Sequence, residues 1–238
     1  MPETTPRPEV VLFDAAGTLF ELKRPVGETY SAAAAQHGVD LPAWRLDDAF
    51  ARVMRRATPM VFADAAPREI AELERSWWRD VVRQVLMATD STTRFPEQRN
   101  GSPGFDAFFA DLWSEYAGDA AWALREGCVE TLTELRASDL RLGVVSNFDH
   151  RLDSLLEVLG IADFFEIVLR PGLVGSAKPE ARLFEAALSQ LGAAAASARY
   201  IGDDPEVDGT AARACGIHFI DVAELVSLRE LPARIEAS

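Results

Sequence analysis

The chain has 238 residues, room for one large domain or for a core with a smaller insert. Apolar residues make up 48% and charged residues 26%, which is ordinary for a soluble globular protein. The net charge of −14 argues against a nucleic acid or an anionic membrane as partner, and any anionic substrate must be drawn in by local positive charge or a metal.

The N-terminal stretch MPETTPRPE is polar and proline-rich, with no apolar targeting core. No run is long enough to span a membrane. Cys128 and Cys215 make neither a disulfide framework nor a zinc cluster, so the expected compartment is the reducing cytoplasm. His37, His150 and His218 show no metal-ligand spacing. Residues 8–14 form the first expected strand, aliphatic and β-branched. It sits in the stretch VVLFDAAGTLF and ends in one carboxylate, Asp14, followed by Ala15, Ala16, Gly17 and Thr18. From about 25 to 117 the pattern is helical. A helix opens at Pro25 and stops at Gly38, and RLDDAFARVMRRA and PREIAELERSWWRDVVRQVLMA carry apolar residues at three- and four-residue spacing. RFPEQRNGSPG reads as a loop, and FDAFFADLWSEYA as a short helix. The aromatics Trp77, Trp78, Phe108, Phe109 and Trp113 of this region are expected to serve packing.

From about 124 onward strands alternate with helices. RLGVVSN, FEIVL, RYIGD and GIHFID are the strands, and HRLDSLLEVLG, PEARLFEAALSQLG and VDGTAARACG lie between them as helices. This alternation implies a parallel sheet covered on both faces. The expected fold is therefore α/β, a Rossmann-like parallel sheet core with an all-helical cap inserted after its first strand. The expected division is core over 1–22, cap over 23–122 and core over 123–238.

Ligands of open parallel sheets bind beyond the carboxyl ends of the strands. The residues expected there are Asp14, Ser146 with Asn147, and Asp203 with Asp204. Lys178 opens the next helix, and Asp208 follows Asp203 by five residues. Basic residues are 22 arginines and only two lysines, Lys23 and Lys178, so a lysine among these carboxylates stands out.

The stretches DAAGTL, VVSNFD, KPEARLF and IGDDPEVDGTAARACG occur in that order, with Asp14, Ser146, Lys178 and Asp203 separated by 132, 32 and 25 residues. In this the sequence resembles haloacid dehalogenase superfamily hydrolases of the subfamily with a helical cap between the first two motifs. RPVGETY and GVVSNFDHRLDSLL resemble the branch named for a rhythmically expressed insect protein. The resemblance spans essentially the whole chain. It implies that Asp14 is the nucleophile and forms an aspartyl intermediate. It implies that Ser146, by its hydroxyl and the adjacent backbone N–H, holds an oxygen of the transferring group, and that Lys178 offsets the negative charge. It further implies Mg²⁺ as cofactor, bound through Asp14, the main-chain carbonyl of Ala16, and Asp203, with Asp208 and Asp204 holding its waters or Lys178. Thr18, Asn147 and Arg24 are candidate substrate-binding residues. The expected partner is a small molecule, a phosphorylated metabolite.

Most phosphatases of this family carry a second aspartate two residues after the nucleophile, as proton donor and activator of water. Here that position is Ala16, and a methyl group carries no proton. Losing a positioned acid/base costs about 10²–10⁴ in rate. Dehalogenases need no such acid, because halide leaves unprotonated, but they generally lack the Mg²⁺-binding GD that this chain keeps. The phosphonate-cleaving branch has AGT here too but needs a cap lysine, and Lys23, nine residues after Asp14, does not match that position. Three readings stay open: a Mg²⁺-dependent phosphohydrolase acting on substrates with good leaving groups or slowly on general ones, a metal-independent 2-haloacid dehalogenase-like hydrolase, and a binding protein that kept the fold and the metal but lost efficient turnover.

Overall fold

A computed structural model describes residues 7–96 and 104–237. The chain runs through β1 (Val10–Phe13), β2 (Phe20–Leu22), α1 (Val26–Gln36), α2 (Ala43–Met54), α3 (Ile70–Thr89), α4 (Gly104–Glu115), β3 (Trp122–Leu124), α5 (Cys128–Ala137) and β4 (Arg141–Val145). It continues with α6 (Arg151–Val158), β5 (Ile167–Leu169), α7 (Pro171–Val174), α8 (Arg182–Leu191), β6 (Ala198–Gly202), α9 (Asp208–Ala214), β7 (His218–Asp221) and α10 (Leu231–Glu236). The loop read over 94–104 falls largely outside the described residues. No described helix is long and apolar enough to cross a membrane.

The chain divides into two compact units. One comprises residues 1–21, 60–70 and 123–238, and the other residues 22–59 and 71–122. The first unit is the expected parallel α/β sheet, with strand order β5-β4-β1-β6-β7. Its middle strand, β1, has neighbours on both sides and helices over both faces, so all four of its residues can be apolar. Leu12 lies opposite Gly143 on β4 and Tyr200 on β6. A side chain at Gly143 would press on Leu12 and Ile167, so the bare strand there lets both pack across it. Leu12, Val145, Leu183, Phe184 and Ala211 are among the buried residues of one core cluster beneath α8 and α9. β2 and β3 form a separate two-stranded sheet.

The second unit is built from α1 to α4. Its core gathers Tyr30, Leu46, Val81, Val85, Phe108 and Leu112, with Trp77, Trp78 and Trp113 packed against it. The expected packing role of the aromatics has a visible form. Phe105, Phe109 and Trp113 recur every four residues on α4, and Arg75, Arg79 and Arg83 do the same on α3. The guanidinium groups lie 4.8–5.8 Å from those rings, and Arg79 also pairs with Asp106. Cation–π contact and the apolar stems of arginine let a strongly charged helix face cover an aromatic one.

The middle strand supplies a direct stability test. Leu12 is fully buried, and Leu12→Ala is expected to cost about 2–5 kcal/mol of unfolding free energy. Urea unfolding followed by circular dichroism measures it, and a loss below about 1 kcal/mol would mean that the sheet collapses around the missing side chain.

Candidate active site

The sheet brings its chemistry-bearing residues to one edge. Phe13 pairs with Val144 on one side and Ile201 on the other, so Asp14 comes level with Val145 and Gly202. Ser146 and Asp203 each follow by one residue. The chain proceeds from β1 outward through β4 and β5, then crosses back to β6 on the other side of β1. That reversal is the topological switch point at which open α/β sheets hold ligands.

Lys178 lies just before α8 and is buried. Its Nζ donates to Asp14 Oδ1 at 2.7 Å and to the Tyr200 hydroxyl at 2.8 Å, and stands 2.7 Å from Asp208 Oδ1. An ammonium has three N–H donors, and here each meets one acceptor. Burial alone would pull this lysine toward neutrality. The Asp14 and Asp208 carboxylates outweigh it and hold the ammonium above its ordinary pKa. Asn147 fixes the lysine's backbone, its Oδ1 accepting from Lys178 N at 2.8 Å and its Nδ2 donating to Lys178 O at 2.9 Å.

The stretch after Asp14 is shaped by what must come close to it. Asp14 N donates to Ile201 O at 2.8 Å, extending the sheet by one residue. The chain then turns, with Leu19 N on Ala15 O and Gly17 N on Phe20 O, both at 2.8 Å. Gly17 adopts φ +88°, and a Cβ there would stand 2.4 Å from Asp203 Oδ2. Glycine is required twice, for the left-handed backbone and for the contact. Gly202 shows the second requirement alone, because a Cβ there would meet Asp208 Oδ2 at 2.3 Å. Arg125 secures the turn from outside: its Nη1 donates to Gly17 O at 2.8 Å and its backbone N–H to Leu19 O at 3.0 Å.

The other sequence candidates find definite places. Ser146 is buried, its N–H donates to Leu169 O, and its Oγ accepts from Phe148 N at 3.3 Å. The fully buried Thr18 donates its hydroxyl to Asp203 Oδ1 at 3.3 Å. Asp204 accepts from the N–H groups of Glu206 and Val207 and so shapes the loop into α9. Arg24 belongs to the second unit, where it pairs with Glu115 at 3.0 Å. Lys23, in the same unit, donates to Asp119 O at 2.7 Å. Tyr200 and Arg125 escape the sequence reading. Tyr200 looks like one more apolar strand residue, and Arg125 one of many arginines.

Asp14, Asp203 and Asp208 each offer an oxygen, all three within 4.8 Å of one another. Asp203 is exposed as a residue, yet its carboxyl is pressed against Gly17. This local burial, then the charges of Asp14 and Asp208, push its pKa up to about 6. Crowded hard oxygen donors under mutual repulsion fit a hard divalent cation.

Comparison with known proteins agrees with this architecture. A family model of haloacid dehalogenase-like hydrolases matches residues 8–216. The haloacid dehalogenase-like hydrolase domain-containing protein 3 of Mus musculus is 33% identical over 214 residues, 90% of this chain and 81% of its own length. The rhythmically expressed gene 2 protein of Drosophila melanogaster is 26% identical over 226 residues, 90% of this chain and 83% of its own. Among solved structures, an L-2-haloacid dehalogenase superposes with a TM-score of 0.68 at 18% identity, over 97% of this chain and 99% of its own. A HAD phosphatase from Thermococcus onnurineus does so with a TM-score of 0.62 at 17% identity, over 95% of this chain and 97% of its own. These two likenesses concern the fold.

The raised Asp203 carboxyl has a measurable consequence in protein freed of divalent ions by chelation. Between the ordinary value of about 4 and about 6, the folded state binds more protons than the unfolded state, so this group lowers stability as pH rises through that window. Solvent screens part of the effect, because the residue is exposed. Asp203→Asn should therefore gain melting temperature over the wild type between pH 4 and 6, and keep the gain above it. Parallel melting curves with a pH-independent difference would show that Asp203 is not under charge stress.

Proposed function

The chain belongs to the haloacid dehalogenase-like hydrolases, and on that basis we propose that it is a Mg²⁺-dependent phosphohydrolase with an aspartate nucleophile, acting on small phosphorylated molecules whose leaving group departs as a stable anion. The observation that carries this reading is the buried Lys178–Asp14 contact at the switch point, beside the two further carboxylates Asp203 and Asp208. Dehalogenases of this family generally lack the metal-binding GD of the fourth motif, and the retention of Gly202 and Asp203 here favours phosphoryl transfer. The helical insert over 23–122 would be the cap whose loops choose the substrate, with 60–70 grouped with the core. Cys128 and Cys215 are free thiols, and burial pushes Cys128 up to about 12, consistent with a reducing cytoplasm and a thiol outside the chemistry.

The residues divide the work as follows. A carboxylate oxygen of Asp14 attacks phosphorus as the bond to the leaving oxygen breaks, and an aspartyl phosphate forms. Lys178 holds Asp14 Oδ1 and so fixes the rotation of the attacking group. The Ser146 hydroxyl and the neighbouring backbone N–H hold a phosphoryl oxygen. Water then attacks phosphorus, which releases inorganic phosphate and restores Asp14. Asp14, Asp203 and the carbonyl of Ala16 would hold Mg²⁺, with Asp208 behind Lys178. The bound ion supplies neutralisation of the phosphoryl oxygens. At Ala16 no side chain can protonate the departing oxygen or draw a proton from water.

Asp14→Asn is expected to abolish phosphate release while keeping the circular dichroism spectrum and a cooperative melt, at a lowered melting temperature because Lys178 loses one of its two carboxylate partners. Turnover retained by the purified variant would place the chemistry elsewhere.

The missing acid gives a sharper test. Rates on aryl, acyl and alkyl phosphates should rise steeply with leaving-group acidity in the wild type. Ala16→Asp should raise alkyl phosphate turnover by one to several decades, within the ~10²–10⁴ attributed to a positioned acid/base, or about 3–5.5 kcal/mol of barrier. A flat wild-type profile with no gain in Ala16→Asp would turn attention to a binding role, and release of halide from 2-haloacids without Mg²⁺ would favour dehalogenation.

A further inference from the structure

Tyr200 sits in the middle of β6, fully buried, three residues before Asp203. Its ring is edge-on to Phe184 with centroids 4.6 Å apart, and stacks toward Phe219 at 6.3 Å. Those contacts would hold a phenylalanine equally well. The hydroxyl is what sets this residue apart from the core. It accepts from Lys178 Nζ at 2.8 Å and lies 2.9 Å from Val145 O and 3.4 Å from Asp208 Oδ1. A phenol has one proton to give, and the shorter contact assigns it to Val145 O. The lone pairs are then turned toward the ammonium.

We propose that Tyr200 is a positioning residue of this site, whose hydroxyl aims the Lys178 ammonium between Asp14 and Asp208 and ties it to the strand end that carries Ser146. Two carboxylates at the same 2.7 Å distance pull on the ammonium, and neither by itself decides how it is tilted. The third N–H does, and its acceptor is the phenol oxygen. Val145, which receives the phenol proton, immediately precedes Ser146, so one hydroxyl links β4, Lys178 and β6. Burial, together with the charges of Asp14 and Asp208, keeps Tyr200 a neutral phenol, so it acts by direction and not by exchanging protons. Take the oxygen away, and one N–H of a buried ammonium and one strand-end carbonyl each lose a partner. The ammonium would settle toward the carboxylates, and Asp14 would lose its fixed rotation.

The test exploits the composition: the chain has only two lysines, Lys23 and Lys178. Protein labelled with 15N at the lysine side chain gives two ammonium resonances, and Lys23→Arg identifies that of Lys178. In Tyr200→Phe, the Lys178 resonance should shift and its ammonium protons should exchange faster with water, while Lys23 stays unmoved. Lys178 signals identical to the wild type would overturn the proposal. If Tyr200→Phe does not fold, uniform 3-fluorotyrosine labelling weakens the phenol oxygen as an acceptor without removing it, and an unmoved Lys178 resonance there overturns the proposal equally. The consequence for turnover rests on the phosphohydrolase reading: kcat should fall about 10- to 100-fold with KM little changed. A displaced Lys178 signal with unchanged kcat would refute the positioning role. Absence of turnover in the wild type would count against the phosphohydrolase reading alone, because the resonance needs no substrate.

Discussion

Lys178 carries a positive charge where water hardly reaches, and much of the first unit is arranged around what that charge needs. Burying an unpaired ammonium costs several kcal/mol, and removing one partner of a buried pair typically costs about 3–5 kcal/mol. The partners here come from distant parts of the chain. Asp14 is 164 residues from the lysine in sequence, and Asp208 stands at the start of α9. The contact with Asp14 exists only once β1 has joined the sheet beside β6. The proposed nucleophile is therefore also a structural counterion of the buried lysine.

The crowding of carboxylates around that lysine explains the small residues at its border. Gly17 and Gly202 face Asp203 and Asp208 at distances that no Cβ could share. Thr18 and Asn147 offer polar groups that look suited to a ligand, but the structure spends them on Asp203 and on the backbone of Lys178. Arg125 adds a cation whose Nη1 is spent on the backbone carbonyl of Gly17, so it holds the turn after Asp14.

How much of this could be read beforehand follows from the range of the forces involved. The strands of the core announce themselves because each is a short apolar run ended by a turn, and the order of helices and strands then fixes a parallel sheet. β2 and β3 are three residues each, too short to show a period in the sequence. Asp14, Lys178, Asp203 and Asp208 are legible because acids at strand ends and one rare lysine depart from their surroundings. Tyr200 and Arg125 are not. A tyrosine in a strand and an arginine after one are chemically ordinary until the fold supplies the atom that each hydrogen-bonds. What the sequence hides best is a polar group acting through a second residue, because its own neighbours in the chain carry no trace of the partner.

Charge also gives the alanine at position 16 a physical meaning beyond the missing proton. With Asp14, Asp203 and Asp208 ionised, the single ammonium of Lys178 leaves the cluster with two uncompensated negative charges. Bringing a phosphate anion to about 4 Å from even one unpaired charge costs about 4 kcal/mol at an effective dielectric constant of about 20. A further aspartate at 16 would deepen that field. A divalent cation reverses it, which is why the three acids suit a metal-assisted site better than a bare one. The methyl group of Ala16 thus favours the approach of an anion while withholding help from its departing oxygen. On the phosphohydrolase reading proposed above, such a site would suit substrates that are hard to bind because they are charged and easy to cleave because their leaving group is already stable.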